Sequence, residues 1–251
     1  MGMTPSIDVA GLEMDEAIRA GGYECNEADF IRRNIRPGDT AIDLGAHIGV
    51  HTTLLADLVG SAGSVIAIEP SEAHVARLDA AVRGARVADR VTIVTAAAGD
   101  AAGERSLLVS APGQASHHAW LMPPGRATGP LDVVEHVRVV RVDDVPRRGR
   151  VSFMKIDVEG AESLALAGAS VLITSDRPVL LVDLHPHLMP IVSGESPGDL
   201  IARLRGFGYH CHLLGAGVPS TGIDDTPSNA VTPVVFLPDA LDSRTSPDSG
   251  W

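Results

Sequence analysis

Residues 40–70 read TAIDLGAHIGVHTTLLADLVGSAGSVIAIEP, and the reading of the whole chain grows from this stretch. Residues 40–44 read as a short buried strand closed by Gly45. From Gly49 to Val59 the apolar residues Leu54, Leu55, Leu58 and Val59 mark one helical face, and Gly60 suits the helix end. Residues 64–68 (SVIAI) form a second apolar strand that stops at Glu69-Pro70. Ser71 then stands as an N-cap, and Val75, Leu78 and Val82 recur at helical spacing before a third strand, VTIVT, at 91–95. Strand, helix, strand, helix, strand with tight turns predicts a right-handed parallel α/β arrangement.

Upstream, residues 13–35 break at Gly21-Gly22 and resume with Phe30, Ile31 and Ile35, which predicts a short helix capping the domain. Downstream, residues 104–110 and 133–142 are rich in β-forming residues. Between them residues 111–130 hold Pro112, Gly113, Pro123, Pro124, Gly125 and Pro130, a loop of the length that is usually functional or disordered. Residues 151–156 are another apolar strand, followed by Asp157-Val158-Glu159-Gly160 and a short helix to Gly168. Residues 178–184 (PVLLVDL) are the fifth parallel strand. Ser196-Pro197 opens a helix with Leu200, Ile201 and Leu204 inward and Gly206 at its end. Residues 209–214 and 231–237 can pair as an antiparallel end to the sheet. One domain over 1–238 is expected, with 239–251 as a polar, loose tail.

The composition narrows the function. With 20 Lys+Arg against 32 Asp+Glu the net charge is −12, which argues against a nucleic-acid binder. No apolar run has the roughly 20 residues that cross a membrane. The opening MGMTPSIDVAG lacks the layout of a signal peptide, and Cys25 and Cys211 are too few for a disulfide scaffold. A soluble, cytoplasmic domain is the expectation, its oligomeric state open. Lys155 is the single lysine among 20 basic residues. That is either an accident of coding bias or a site needing a compact ammonium.

In an open parallel sheet, ligands bind beyond the carboxyl ends of the strands. Those ends here carry Asp43-Leu-Gly45-Ala-His47-Ile-Gly49, then Glu69-Pro70, then Asp157, then His185. The first turn is G-x-x-x-G, not the G-x-G-x-x-G of a dinucleotide pyrophosphate site. An acid two residues before the glycine suits a cationic or hydroxylated ligand better than a diphosphate. Glu69 can accept both hydroxyls of a ribose. A ligand with ribose and positive charge but no phosphate describes S-adenosylmethionine. A packing glycine at a strand–helix turn is the alternative for each glycine taken singly.

On these residues, DLGAHIGVHTTLLADLVGSAGSVIAIEPS (43–71) resembles the first two cofactor motifs of the FkbM family of S-adenosylmethionine-dependent methyltransferases. KIDVEGAESLALAGA (155–169) is similar to that family's fourth-strand signature, and RPVLLVDLHPHL and SPGDLIARLRGFGYHCHLL to its closing segment. The resemblance implies a Rossmann-like class I methyltransferase fold with a seven-stranded, mostly parallel sheet and an antiparallel end strand. It implies methyl transfer to hydroxyls, often of natural products or sugars. By position, Asp43, Gly45 and Gly49 form the methionine-side wall, with His47 standing where the family more often has Asn. Glu69 takes the ribose, Pro70 and Ser71 edge the adenosine pocket, and Ala97 lies on the adenine side.

For the chemistry, Asp157 can orient or deprotonate an acceptor hydroxyl, or it can cap the following helix. Lys155, two residues before it, can pair with a carboxylate, while Glu159 and Glu162 suit a helix N-terminus through its dipole. His118 (with His117 and Trp120 close by) and His185 are the next candidates for a base. His210-x-His212 has the look of a metal pair but no third ligand, and Asp157 with Asp183 leaves a magnesium site without support, so no metal is expected. His51 and His74 are expected at the surface, and both cysteines as packing residues. Two rivals remain. One is a nicotinamide-dependent oxidoreductase on the same layout, and the other is a cofactor-binding scaffold without catalysis.

Overall fold

The computed structural model describes residues 24–109, 119–123, 125–129, 132–215, 217–222 and 230–242. Helix α1 (Cys25–Asn34) precedes β1 (Thr40–Leu44), α2 (Val50–Val59), β2 (Ser64–Glu69), α3 (Glu72–Gly84) and β3 (Val91–Thr95). After β8 (Val151–Ile156) come α4 (Glu162–Ala167), α5 (Ser170–Asp176), β9 (Val179–Leu184), α6 (Met189–Val192) and α7 (Pro197–Gly206). The chain then runs through β10 (Tyr209–Gly215), β11 (Val218–Gly222), β12 (Thr232–Pro238) and α8 (Asp239–Asp242). These strands form one sheet in the order β11-β10-β12-β9-β8-β1-β2-β3. Strands β3, β2, β1, β8 and β9 are parallel, and β12 and β10 continue the sheet antiparallel, as the sequence suggests. The sheet has eight strands and not seven, because β11 adds to the outer edge of β10.

Alternation along the central strands sorts their side chains into two apolar layers. Ala41, Val65, Phe153 and Leu181 face Phe30, Ile31, Leu55, Val59 and Leu78 of α1, α2 and α3. Ile42, Leu44, Ile66, Met154, Ile156 and Val182 face Leu172, Ile173, Leu200, Ile201 and Leu204 of α5 and α7. Helix α7 begins at the Ser196-Pro197 start its sequence announces, and the structure adds a reciprocal cap: the Ser196 side chain accepts from the Asp199 amide and the Asp199 carboxylate from the Ser196 amide. Ser71 sits at the N-cap of α3 but makes no side-chain capping bond there.

The middle of the chain departs from the sequence reading. β4 (Ala97–Ala98), β5 (Gly103–Val109), β6 (Ala119–Leu121) and β7 (Val133–Val140) form a second sheet in the order β4-β7-β5-β6. The expected loop over 111–130 therefore contains a strand, β6, too short to show a period. Leu107, Leu121, Val137 and Val139 of this sheet pack on Ala161 and Val192, with Val158 and Leu188 alongside. The sheet thus walls the turns that follow β8 and β9. At the far end, residues 239–242 of the expected tail form a helical turn: Asp239 donates its amide to Gly208, and Leu241 packs on the core.

Candidate active site

The order in which the parallel strands are laid down reverses between β1 and β8. The chain steps outward from β1 to β3, then returns to the other side of β1 through the second sheet. A crevice beyond the carboxyl ends of β1 and β8 is where such a sheet binds its ligand. The two turns there are locked together. Gly45 has φ +78, and a Cβ on it would run into the backbone carbonyl of Asp157; Gly49, at φ +93, would meet Leu78 of α3. Both glycines are thus required by the packing of the protein on itself, the plainer of the two readings their sequence positions allow.

Glu69, at the end of β2, is buried and well partnered. Its Oε2 accepts the His47 amide at 2.9 Å, and its Oε1 faces the Ser71 amide at 3.0 Å and the His74 ring at 3.1 Å. His47 and His74 meet edge to face with ring centroids 4.2 Å apart. A carboxylate offers about four lone-pair sites, so three are in use and the His74 ring is the one partner that can swing away. Ser71 Oγ and Asp43 Oδ1, both buried, have no hydrogen-bond partner among the described residues. Pro70 is half-buried beside them, and the buried Ala97 begins β4, one residue past the Ala96 amide that donates to the Glu69 carbonyl. Unsatisfied buried oxygens cost free energy unless a ligand donates to them, so this bend fits a polar ligand bearing hydroxyl or amino donors.

Asp43 and Lys155 are register partners on neighbouring strands and lie on the same face. Lys155, 2% exposed, sends Nζ to Asp157 Oδ2 at 3.2 Å and to Asp183 Oδ2 at 3.7 Å. Burial pulls its pKa down, but Asp157 and Asp183 outweigh that and hold it well above the ordinary lysine value. Burial pushes the Asp157 carboxyl up, and the charges of Lys155 and His185 bring it below its usual range. Burial and the Asp157 charge hold Asp183 well above the ordinary carboxylate value. Burial likewise raises Asp43, although Lys155 and a 2.6 Å hydrogen bond from Thr52 oppose it. The single lysine is therefore the ammonium at the centre of a ring of acids.

His185 closes the site from the end of β9. Its Nδ1 lies 2.7 Å from Glu162 Oε1 and 3.0 Å from the Asp183 carbonyl. Its Nε2 faces Glu159 Oε2 at 3.2 Å and Asp157 Oδ1 at 3.8 Å. Burial lowers its pKa, but Glu162, Glu159 and Asp157 prevail and raise it to about 9. Glu162 is fully buried, and burial raises its pKa.

Several sequence readings change here. Asp157 is not a helix cap, since α4 begins at Glu162 with Ala161 before it. Glu162 and Glu159 do more than favour a helix dipole, because both turn to His185. His51, expected at the surface, is buried, with Nδ1 3.4 Å from Glu24 Oε2. It lies four residues before Leu55 on the inward face of α2, so the helical spacing already holds the signal. His74 is mostly covered by its contact with Glu69. Cys25 is exposed and is not a packing residue, whereas Cys211 is buried. His210 is exposed and pairs with Asp239 at 3.0 Å, and His212 is buried. Trp120 is half-buried in β6 under the Arg126 guanidinium, 4.6 Å from its ring. His117 and His118 lie outside the described residues.

A sequence profile of the Methyltransferase FkbM domain matches residues 43–211, more than half of the chain. The chain belongs to the FkbM methyltransferase family. The family's cofactor is S-adenosylmethionine, and the acid-and-glycine bend with its unsatisfied buried oxygens fits that group. An FkbM methyltransferase from Methylobacillus flagellatus KT is similar in structure at 19% identity and a TM-score of 0.53, covering 93% of this chain and 56% of that one. The chain thus spans little more than half the length of that relative, and the likeness is one of fold. A putative rRNA methylase from Clostridium thermocellum matches at 13% identity and a TM-score of 0.49, over 94% and 97% of the two chains. An O-methyltransferase from Thermotoga maritima matches at 13% and 0.48, over 84% and 64%. No curated protein sequence matches. Among the described residues no helix is long and apolar enough to cross a membrane.

Proposed function

We propose that this protein is an O-methyltransferase that moves the methyl group of S-adenosylmethionine to a hydroxyl of a small polar molecule in the cytoplasm, and that Asp157 receives the acceptor. Bound S-adenosylmethionine supplies a methyl group activated by a sulfonium, whose transfer discharges a positive charge. Glu69, with Ser71 beside it, suits the ribose; Asp43 and the Gly45–Gly49 bend suit the methionine end. His47 contributes through its backbone amide, which fixes the Glu69 carboxylate. The ring of acids about Lys155 favours a cationic ligand over an anionic one.

The observation that carries the reading is the state of Asp157. It is 26% exposed at a strand end, close enough to solvent to meet an acceptor, yet held ionised by the buried Lys155. An ionised carboxylate there accepts a hydrogen bond from an incoming hydroxyl, which orients its oxygen and takes its proton near the transition state. Lys155 acts through Asp157 and is a positioning residue. His185, fixed by Glu162, borders the same carboxylate. Asp157→Asn removes the acceptor of the proton and keeps the volume. Labelled methyl transfer into small-molecule extracts should fall by roughly 10²–10⁴-fold, with S-adenosylhomocysteine affinity within about twofold of wild type. Undiminished transfer would take Asp157 out of the mechanism. Cofactor binding without transfer to any extract in the wild type would favour the non-catalytic scaffold.

A further inference from the structure

We infer that Asp157, Glu159 and His185 form a binding site for one divalent transition-metal ion beside the acceptor position. Among the described residues, these three bring ligand atoms within 4.8 Å of one another. The decisive feature is the imidazole. Its Nδ1 lies 3.0 Å from the Asp183 backbone carbonyl, which can only accept, and 2.7 Å from Glu162 Oε1, which already accepts the Gly160 amide at 2.9 Å. Nδ1 therefore carries the hydrogen. Nε2 of a ring that is only 5% exposed is then aimed at two carboxylate oxygens, Glu159 Oε2 at 3.2 Å and Asp157 Oδ1 at 3.8 Å. Two carboxylates facing one ring nitrogen call for a positive centre, which a second ring proton supplies when no ion is bound and a divalent ion would replace.

The spacing suits an ion. Ligand atoms bonded to one metal at about 2.1 Å stand roughly 3.0–3.4 Å apart at octahedral or tetrahedral angles; the 3.2 Å separation from Glu159 falls in that range, and the 3.8 Å separation from Asp157 lies above it, so the Asp157 carboxylate would close in on a bound ion. The carboxylate behind the imidazole is the usual outer partner of a metal-bound histidine, because it fixes the tautomer and turns the second nitrogen outward. Glu162 holds that position. Asp157 divides its two oxygens, Oδ2 to Lys155 and Oδ1 to the cluster, so the ion pair leaves one oxygen for the metal. One imidazole nitrogen with two carboxylates selects manganese, ferrous iron or zinc over magnesium and calcium, whose preferred partners are all oxygen. Three protein ligands leave positions for water or for the oxygen of an acceptor. The sequence leaves an Asp157–Asp183 pair without support as a metal site, and the structure turns Asp183 to Lys155 and brings Glu159 to His185 instead.

Binding by itself does not depend on the methyl-transfer reading; only what the ion would do for an acceptor hydroxyl rests on it. The test is a titration of chelator-treated protein with manganese, read by loss of the free-ion electron paramagnetic resonance signal, and with zinc by calorimetry. S-adenosylhomocysteine binding is measured on the same metal-free sample. The expected result is one ion per chain, with affinity lowered at least tenfold in Glu159→Gln and in His185→Gln. Glu162→Gln should lower it by about 10–100-fold through the histidine alone. His187→Ala, an exposed neighbour outside the cluster, should bind as wild type does. Thermal melts of each variant establish that it is folded. No manganese or zinc bound at millimolar concentration overturns the site, as does binding that Glu159→Gln and His185→Gln leave unchanged. Cofactor binding that persists without metal would show that such a failure belongs to the metal site and not to the methyltransferase reading.

Discussion

Replacing Lys155 by Met tests whether the one ammonium beneath the site holds its acids together. The substitution keeps an unbranched side chain one atom shorter and deletes its charge. At 3.2 and 3.7 Å from Asp157 and Asp183, each attraction is worth about 4–5 kcal/mol at an effective dielectric of about 20, before the desolvation of both partners is charged against it. Stranding the other half of a buried pair costs about 3–5 kcal/mol. Asp183, already shifted toward its neutral form, can take up a proton and relieve part of this, so a loss of about 3 kcal/mol is expected. For a chain of this size that lowers Tm by roughly 6–12 °C. Adding Asp183→Asn to the Lys155→Met protein removes the stranded carboxylate and should recover about 1–2 kcal/mol, a coupling within the range for contacting residues. Urea unfolding at pH 7 of the wild type, both single variants and the double variant measures the cycle. A Lys155→Met protein within about 1 kcal/mol of wild type, or a double variant less stable than the single, would refute the assigned role.

Four further outcomes follow from the geometry. Glu69→Gln should weaken S-adenosylhomocysteine binding at least tenfold by calorimetry, because a charged acceptor contributes about 1.5–3 kcal/mol per hydrogen bond. His74→Ala should bind the same ligand at least as tightly as wild type, since the ring occupies a Glu69 lone pair that a ribose needs. Gly45→Ala should lower both Tm and cofactor affinity, as the new methyl group would separate the β1 turn from the Asp157 turn. His51 is neutral in the fold, its pKa pulled by burial, and then by the Lys155 charge, to about 3 against 6.5 when unfolded. Its contribution is complete above pH 6.5 and is lost as pH falls from there toward 3, because the unfolded chain takes up the proton first. Between pH 7 and pH 5 the wild type should lose about 2 kcal/mol more stability than His51→Gln, measured as the difference between their urea midpoints. Equal losses would mean that His51 is not buried uncharged.

The parts of this molecule written in neighbouring residues are legible in the sequence alone. The strand at 40–44, its acid and glycines, the Glu69 strand end and the Ser196-Pro197 helix start all depend on spacings under about ten residues, where period and turn chemistry act. The second sheet is half visible: residues 104–110 and 133–142 announce strands, but their pairing and the three-residue β6 depend on contacts across the intervening loop. The polar heart of the site is hidden for the same reason. Glu162 and His185 lie 23 residues apart and meet only because the turns after β8 and β9 pack under the second sheet. Nothing local distinguishes Glu159 from a helix-start acid. His51 is different, since its place on the Leu55–Val59 face of α2 is legible and the residue type misleads.

Hydrogen–deuterium exchange of the whole chain, with and without saturating S-adenosylhomocysteine, locates the cofactor most directly. Protection concentrated at residues 43–49 and 69–71, with the α7 and β10 segments unchanged, is the expected result. Exchange left unaltered at both turns under saturation, or protection confined to another face of the sheet, would contradict the account.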